Sequence, residues 1–220
     1  MFETVKSNLL RIQEEIAPYR PNIIAVTKYF DRNAIVAAYE AGLRNFGESR
    51  AVEAVEKIMQ LPDYVRENSS FHFIGHLQGN KVKKVVKYFD FIHSVDSLKL
   101  AAHISQEAKE LGKIQKILLQ LNNAGEVQKF GYSKEALFKD FPDILKLENV
   151  KIVGLMNMTP LGAGDDFIEK LFLDAADTKK LLEKTFNCKM NELSMGMSQD
   201  YQIAARCGAT MLRIGRKLFS

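Results

Sequence analysis

MLRIGRKLF, residues 211–219, is the stretch on which the fold turns. It is a short apolar run that closes in a glycine, and it is the eighth of its kind. Before it come NIIAVTK (22–28), NFGES (45–49), FHFIG (71–75), FIHSV (91–95), KILLQLN (116–122), VKIVGLMN (150–157) and ELSMG (192–196). Between these runs lie segments with helical period, at 31–42, 50–61, 80–88, 97–112, 133–147, 165–187 and 198–207. In one of them Val82, Val85, Val86 and Phe89 make an apolar stripe while Lys81, Lys83, Lys84 and Lys87 lie off it. Strands that alternate with helices must pair in parallel, because each crossover returns the chain to the same end of the sheet. Eight of them predict a closed (β/α)₈ TIM barrel of the α/β class rather than an open sheet.

The last run ends almost at Ser220, so no helix is expected to follow it. Phe2, Val5, Leu9, Ile12 and Ile16 recur at steps of three and four and predict an N-terminal helix that completes the outer ring. The segments 62–70 and 159–164 read as turns, with no repeat or linker, so residues 1–220 are expected to form a single domain.

Composition narrows the function classes. The 31 basic and 27 acidic residues leave a net charge of +4, with the lysines dispersed over helices and no aromatic run beside them, which argues against a nucleic-acid surface. No stretch approaches about 18 consecutive apolar residues, and the N-terminus has no signal-like core; a cytoplasmic protein without a membrane partner is expected. Cys188 and Cys207 have no metal-like spacing and read as buried free thiols. His72 and His76 would lie about 13 Å apart along a strand, too far to share a metal. His93 and His103 have no matching partner in the sequence, so no metal site is expected. Dinucleotide, P-loop and nucleophile-elbow signatures are absent.

Active sites of such barrels form at the C-terminal ends of the strands, with phosphate sites often beyond strands seven and eight. Lys28 ends the first run. If it faces inward, Ile24 and Val26 lie beneath it, and the loss of hydration favours a neutral, nucleophilic amine of the kind that condenses with carbonyls. The same position also suits an ordinary solvated lysine. In the eighth run Arg213 would point inward with Met211 and Gly215, as a buried cation needing a carboxylate, a ring nitrogen or a phosphate. Ser198 reads as the N-cap of the helix that follows the Gly196 turn, and with Gly215 it outlines an anion corner.

Beyond single residues, AVTKY, NFGES, HFIGHLQGNK, IHSVDS, NNAGEVQKFG, GLMNMTP, LSMGMSQD and RIGRKLF occur in this order over nearly the whole chain. The ordered set resembles the pyridoxal 5′-phosphate homeostasis protein family, whose barrel is similar to the N-terminal domain of alanine racemase. The resemblance implies that Lys28, in the family's V-[TS]-K motif, carries pyridoxal 5′-phosphate as a Schiff base. It implies that Arg213, in R-[IV]-G, faces the pyridine nitrogen and, always charged, weakens the ring as an electron sink. It implies that Ser198 and the backbone of Gly215 and Arg216 hold the phosphate. Ser49 stands where the family has Asn near the cofactor, His76 where a small residue or proline is usual, and Arg216 where Thr or Ser is frequent. Affinity is therefore expected to differ more than cofactor identity.

The activity expected from the resemblance is reversible cofactor binding in vitamin B6 and amino-acid homeostasis, by a protein that buffers the cofactor or passes it to pyridoxal-phosphate-dependent apoenzymes; the single domain leads to the expectation of a monomer. The alternative is a weak amino-acid racemase, which needs a second acid/base opposite Lys28; neither Tyr29, expected to point out of the barrel, nor Tyr201 is an obvious candidate. A Schiff-base aldolase acting on a phosphorylated substrate would explain Lys28 and the anion corner but not the ordered motifs.

Overall fold

The computed structural model describes residues 1–125 and 130–220. Each of the eight apolar runs forms a strand: β1 Asn22–Val26, β2 Asn45–Glu48, β3 Ser70–Phe73, β4 Phe91–Val95, β5 Gln115–Leu121, β6 Val150–Asn157, β7 Glu192–Ser194 and β8 Met211–Ile214. All neighbours pair in parallel, and β8 closes on β1 with Ile24 opposite Arg213, completing the barrel.

The helices are α1 Phe2–Glu15, α2 Arg32–Glu40, α3 Ala51–Met59, α4 Asp63–Glu67, α5 Val82–Tyr88, α6 Leu98–Glu110, α7 Lys134–Leu145, α8 Asp165–Phe186, α9 Tyr201–Arg206 and α10 Arg216–Phe219. Side-chain caps fix several starts, as where Ser97 Oγ accepts from Leu100 N and Ser133 Oγ from Ala136 N. Among the described residues, no helix is long and apolar enough to cross a membrane.

Two helices depart from the expectation. α4 lies within the segment read as a turn, its five residues anchored by the buried Val65. α10 follows β8, contrary to the expectation that nothing could, because four residues suffice for one turn and Leu218 is buried beneath it. α1 completes the ring beside it. Val5, Leu9 and Ile12 bury the predicted stripe, while Phe2 stays exposed. Asn8 Nδ2 donates to the carbonyls of Leu218 at 3.2 Å and Ser220 at 2.9 Å, binding α1 to α10.

The main apolar core lies between strands and helices. Outward residues such as Ile23, Ala25, Leu212 and Ile214 are packed there, as the alternation in β1 and β8 requires. Inside the barrel, a small separate apolar cluster is formed by Leu118, Val153 and Met156, and Ile24 and Val26 of β1 also face the interior. The rest of the interior includes His72, His93, Ser194 and Arg213, all at most 4 % exposed.

The thiols differ from each other. Cys207 is buried as expected, but Cys188 is only half-buried; neither is in a disulfide, and burial raises both above the ordinary thiol range.

Candidate functional site

Lys28 lies beyond the strand, not in it. β1 ends at Val26, and Lys28 is half-buried in the following turn, its Nζ 5.0 Å from the ring centre of the exposed Tyr29. Strand alternation therefore does not carry through to Lys28 and Tyr29, although Ile24 and Val26 do line the interior beside Gly47.

What positions the turn is a buried clamp that the sequence reading missed. Thr27 Oγ1 donates to Glu48 Oε1 at 2.7 Å, and Lys57 Nζ reaches the same oxygen at 2.6 Å and the Thr27 carbonyl at 2.8 Å. Thr27 and Glu48 are at most 2 % exposed, so the acid is held by a cation and a hydroxyl in place of water. The turn is closed by Phe30 N donating to the Thr27 carbonyl at 2.9 Å.

Arg213 points into the barrel from β8, the strand beside β1. Its Nη1 donates to Ser194 Oγ at 2.6 Å and its Nη2 to the Asn157 carbonyl at 2.8 Å. Among the described residues it has no carboxylate partner. Burial pulls the guanidinium down to about 10 while the charge of Asp200 pulls the other way, so it remains a cation at neutral pH.

The anion corner is built differently from the expectation. α9 begins at Tyr201 with Asp200 before it, so Ser198 is a turn residue rather than the N-cap. Asp200 is committed to the turn, accepting from Met197 N and Thr159 Oγ1, both at 2.6 Å. Ser198 Oγ instead meets Lys217 N at 3.4 Å, which brings it against the Gly215–Lys217 backbone. Gly196 serves packing: at φ +89°, a Cβ there would meet Ala204 Cβ at 2.5 Å and Leu212 Cδ2 at 2.9 Å. Gly215 is packed against Val26 but not crowded. A Cβ would find its nearest neighbour, the Val26 carbonyl, at an ordinary 3.4 Å.

The comparisons with known proteins agree with one another. The family described as alanine racemase, N-terminal domain, matches residues 2–220. A pyridoxal phosphate homeostasis protein of Synechocystis sp. is 41 % identical over 208 residues, covering 94 % of both chains. One from Aquifex aeolicus is 35 % identical over 197 residues, covering 90 % of this chain and 85 % of its own. The chain belongs to the pyridoxal phosphate homeostasis protein family. PipY of Synechococcus elongatus PCC7942, a structure with PLP bound, superposes with a TM-score of 0.88 at 36 % identity, over 98 % of this chain and all of the other. Alanine racemase of Clostridium difficile 630 shares the fold, with a TM-score of 0.74 at 16 % identity over 56 % of its chain.

The positions read as departures within the homeostasis protein family fall around the barrel mouth. Ser49 follows β2 and is half-buried; Gly75 lets the β3 loop cross it, since a Cβ there would lie 2.3 Å from the Ser49 carbonyl. His76 stacks on Phe130 with ring centres 3.6 Å apart, and its Nδ1 lies 3.7 Å from Asp96 Oδ2. Arg216 starts α10 with its side chain exposed. Of the NNAGEVQKFG motif, residues 126–129 lie outside the described residues.

The histidines add a contact that the sequence reading, which weighed them only as metal ligands, did not foresee. His93 has its Nε2 2.9 Å from Nδ1 of His72 inside the barrel. Their positions in FHFIG and FIHSV, each on an interior phase of its strand, were the available signal.

Proposed function

We propose that this protein binds pyridoxal 5′-phosphate as a Schiff base on Lys28 and serves vitamin B6 and amino-acid homeostasis without robust catalysis. The observation that carries the reading is the pairing of adjacent strands. β1 leads to the Lys28 amine, and β8 holds Arg213 inside the barrel on two neutral acceptors, with no carboxylate partner among the described residues. The names of the relatives and the PLP-bound PipY structure support the choice of cofactor.

The residues present fit that group. The cofactor supplies an aldehyde, which condenses reversibly with the Lys28 amine with loss of water. The clamp of Thr27, Glu48 and Lys57 fixes the turn that presents this amine. Arg213 offers donors to a ring nitrogen and disfavours its protonation. Ser198 and the backbone at Gly215 and Arg216 suit a phosphate, with Ser49 at the end of β2, two strands from β8. Tyr201 is buried and its hydroxyl is committed to Glu15, while Tyr29 is 74 % exposed; neither stands ready as the second base that racemisation requires. In this reading one barrel unit works as a monomer in the cytoplasm and gives up its cofactor to apoenzymes.

Titration with pyridoxal phosphate, followed by borohydride reduction and peptide mapping, tests the proposal. A visible band absent from Lys28→Ala, with the reduced adduct on Lys28, is expected. Adducts scattered over surface lysines would overturn it. Rapid Lys28-dependent exchange of the alanine α-proton in deuterated water would replace the carrier with the racemase.

A further inference from the structure

Five side chains cross the barrel interior in one hydrogen-bonded line. Arg213 Nη1 lies 2.6 Å from Ser194 Oγ, Ser194 Oγ 3.0 Å from His93 Nδ1, His93 Nε2 2.9 Å from His72 Nδ1, and His72 Nε2 3.0 Å from Asn45 Oδ1. Ser194, His93 and His72 are completely buried. Asn45, at the far end, borders a cavity of about 670 Å³ at the N-terminal end of the strands, so its amide N–H groups have solvent nearby while its oxygen turns inward.

The ends of the line set its direction. A guanidinium only donates, so Ser194 Oγ accepts from Arg213. At the other end the Asn45 oxygen accepts, so His72 Nε2 donates and its Nδ1 accepts. His93 then donates from Nε2 and takes the Ser194 proton at Nδ1. Each neutral ring is fully used, once as donor and once as acceptor. A proton added to either ring would turn an acceptor into a second donor and place a new charge in line with Arg213.

The surroundings oppose such a proton from every side. His72 stacks on Phe91 with centres 4.4 Å apart, and Lys116 Nζ lies 4.7 Å from the same ring. Burial, with Lys116 adding to it, holds His72 down to about 3. Burial first, then the charge that His72 would carry if protonated and that of Arg213, hold His93 well below its ordinary value. The acid whose charge reaches Arg213, Asp200, is bonded to Thr159 and Met197.

We propose that Ser194, His93 and His72 form a neutral positioning relay that aims Arg213 at the cofactor's ring nitrogen and leaves its charge undivided, so that this nitrogen stays unprotonated. The proposal rests on the functional reading above, in which Arg213 faces that nitrogen. None of the three needs to touch the cofactor. Ser194 becomes a better acceptor for Arg213 because its own proton is given to His93.

The test loads wild type, Ser194→Ala, His93→Leu and His93→Asn with pyridoxal phosphate carrying ¹⁵N in the ring. It reads the ring-nitrogen chemical shift against pH, and the dissociation constant from the visible band. Wild type is expected to keep an unprotonated shift from mildly acidic to mildly alkaline pH. Ser194→Ala and His93→Leu are expected to bind about tenfold more weakly, the scale of one lost hydrogen bond to a charged group, and to move the shift toward the protonated value in acid. His93→Asn, whose side-chain oxygen can still accept from Ser194, should recover most of both. Melting of each apoprotein accompanies the series, and Ser194→Ala, which loses a single oxygen, keeps the test intact if His93→Leu fails to fold. Unchanged affinity and shift in folded Ser194→Ala would overturn the relay. A wild type that forms no adduct on Lys28 would overturn the functional reading instead, so the two failures are distinguishable.

Discussion

Lys57 Nζ lies 2.6 Å from Glu48 Oε1, making a buried ion pair directly behind the turn that presents Lys28. Lys57→Met leaves Glu48, 2 % exposed, without its cation, and should cost about 3 kcal/mol or more in urea unfolding. The double variant Lys57→Met/Glu48→Gln should recover part of that loss, since it removes the stranded charge. Both should lower the yield of reduced adduct on Lys28, because the turn loses its anchor.

Lys28→Ala should behave in the opposite way. The side chain is half-buried and lies over the exposed ring of Tyr29. Stability should change by no more than about 0.5 kcal/mol. Thermal melting that stays near wild type while the adduct disappears would separate the chemical role of Lys28 from a structural one.

Gly196→Ala should destabilise without touching either. It combines a φ of +89° with a Cβ only 2.5 Å from Ala204 Cβ, and a loss of about 2 kcal/mol or more is expected from strain and displacement together. Chemical denaturation would read it directly.

Acid should weaken the fold through the histidine pair. Both rings are neutral inside the barrel, yet an unfolded histidine takes up a proton below about pH 6.5. The unfolded state then binds more protons, so stability falls as pH falls, by up to about 1.4 kcal/mol per pH unit for each ring. For His72 the window runs from about pH 6.5 down to about 3. His72→Gln should flatten the dependence by one histidine's share, measured as unfolding free energy against pH.

The strand pattern could be read because β1 and β8 alternate cleanly: Ile23 and Leu212 pack outward, and Ile24 and Arg213 inward. Lys28 was harder to place. Period two holds only while the backbone stays extended, and the chain turns after Val26. Ser198 was misplaced because a serine before a helical pattern is a common cap, whereas here the carboxylate of Asp200 captures Met197 N and delays the helix to Tyr201. The His72–His93 contact and the Glu48–Lys57 pair depend on the stagger between neighbouring elements, which no single segment encodes.

Asn8 and Leu218, 210 positions apart in the chain, are joined by a hydrogen bond across the β1–β8 seam. Contacts of such separation carry a large loop-closure cost and form late, so this seam should be among the last parts of the barrel to assemble. Lys28 and Arg213 stand on its two sides. A ligand that bridges them would act as a rivet through the slowest joint, and its first effect on the protein should be seen in the unfolding rate, as a longer lifetime of the closed barrel.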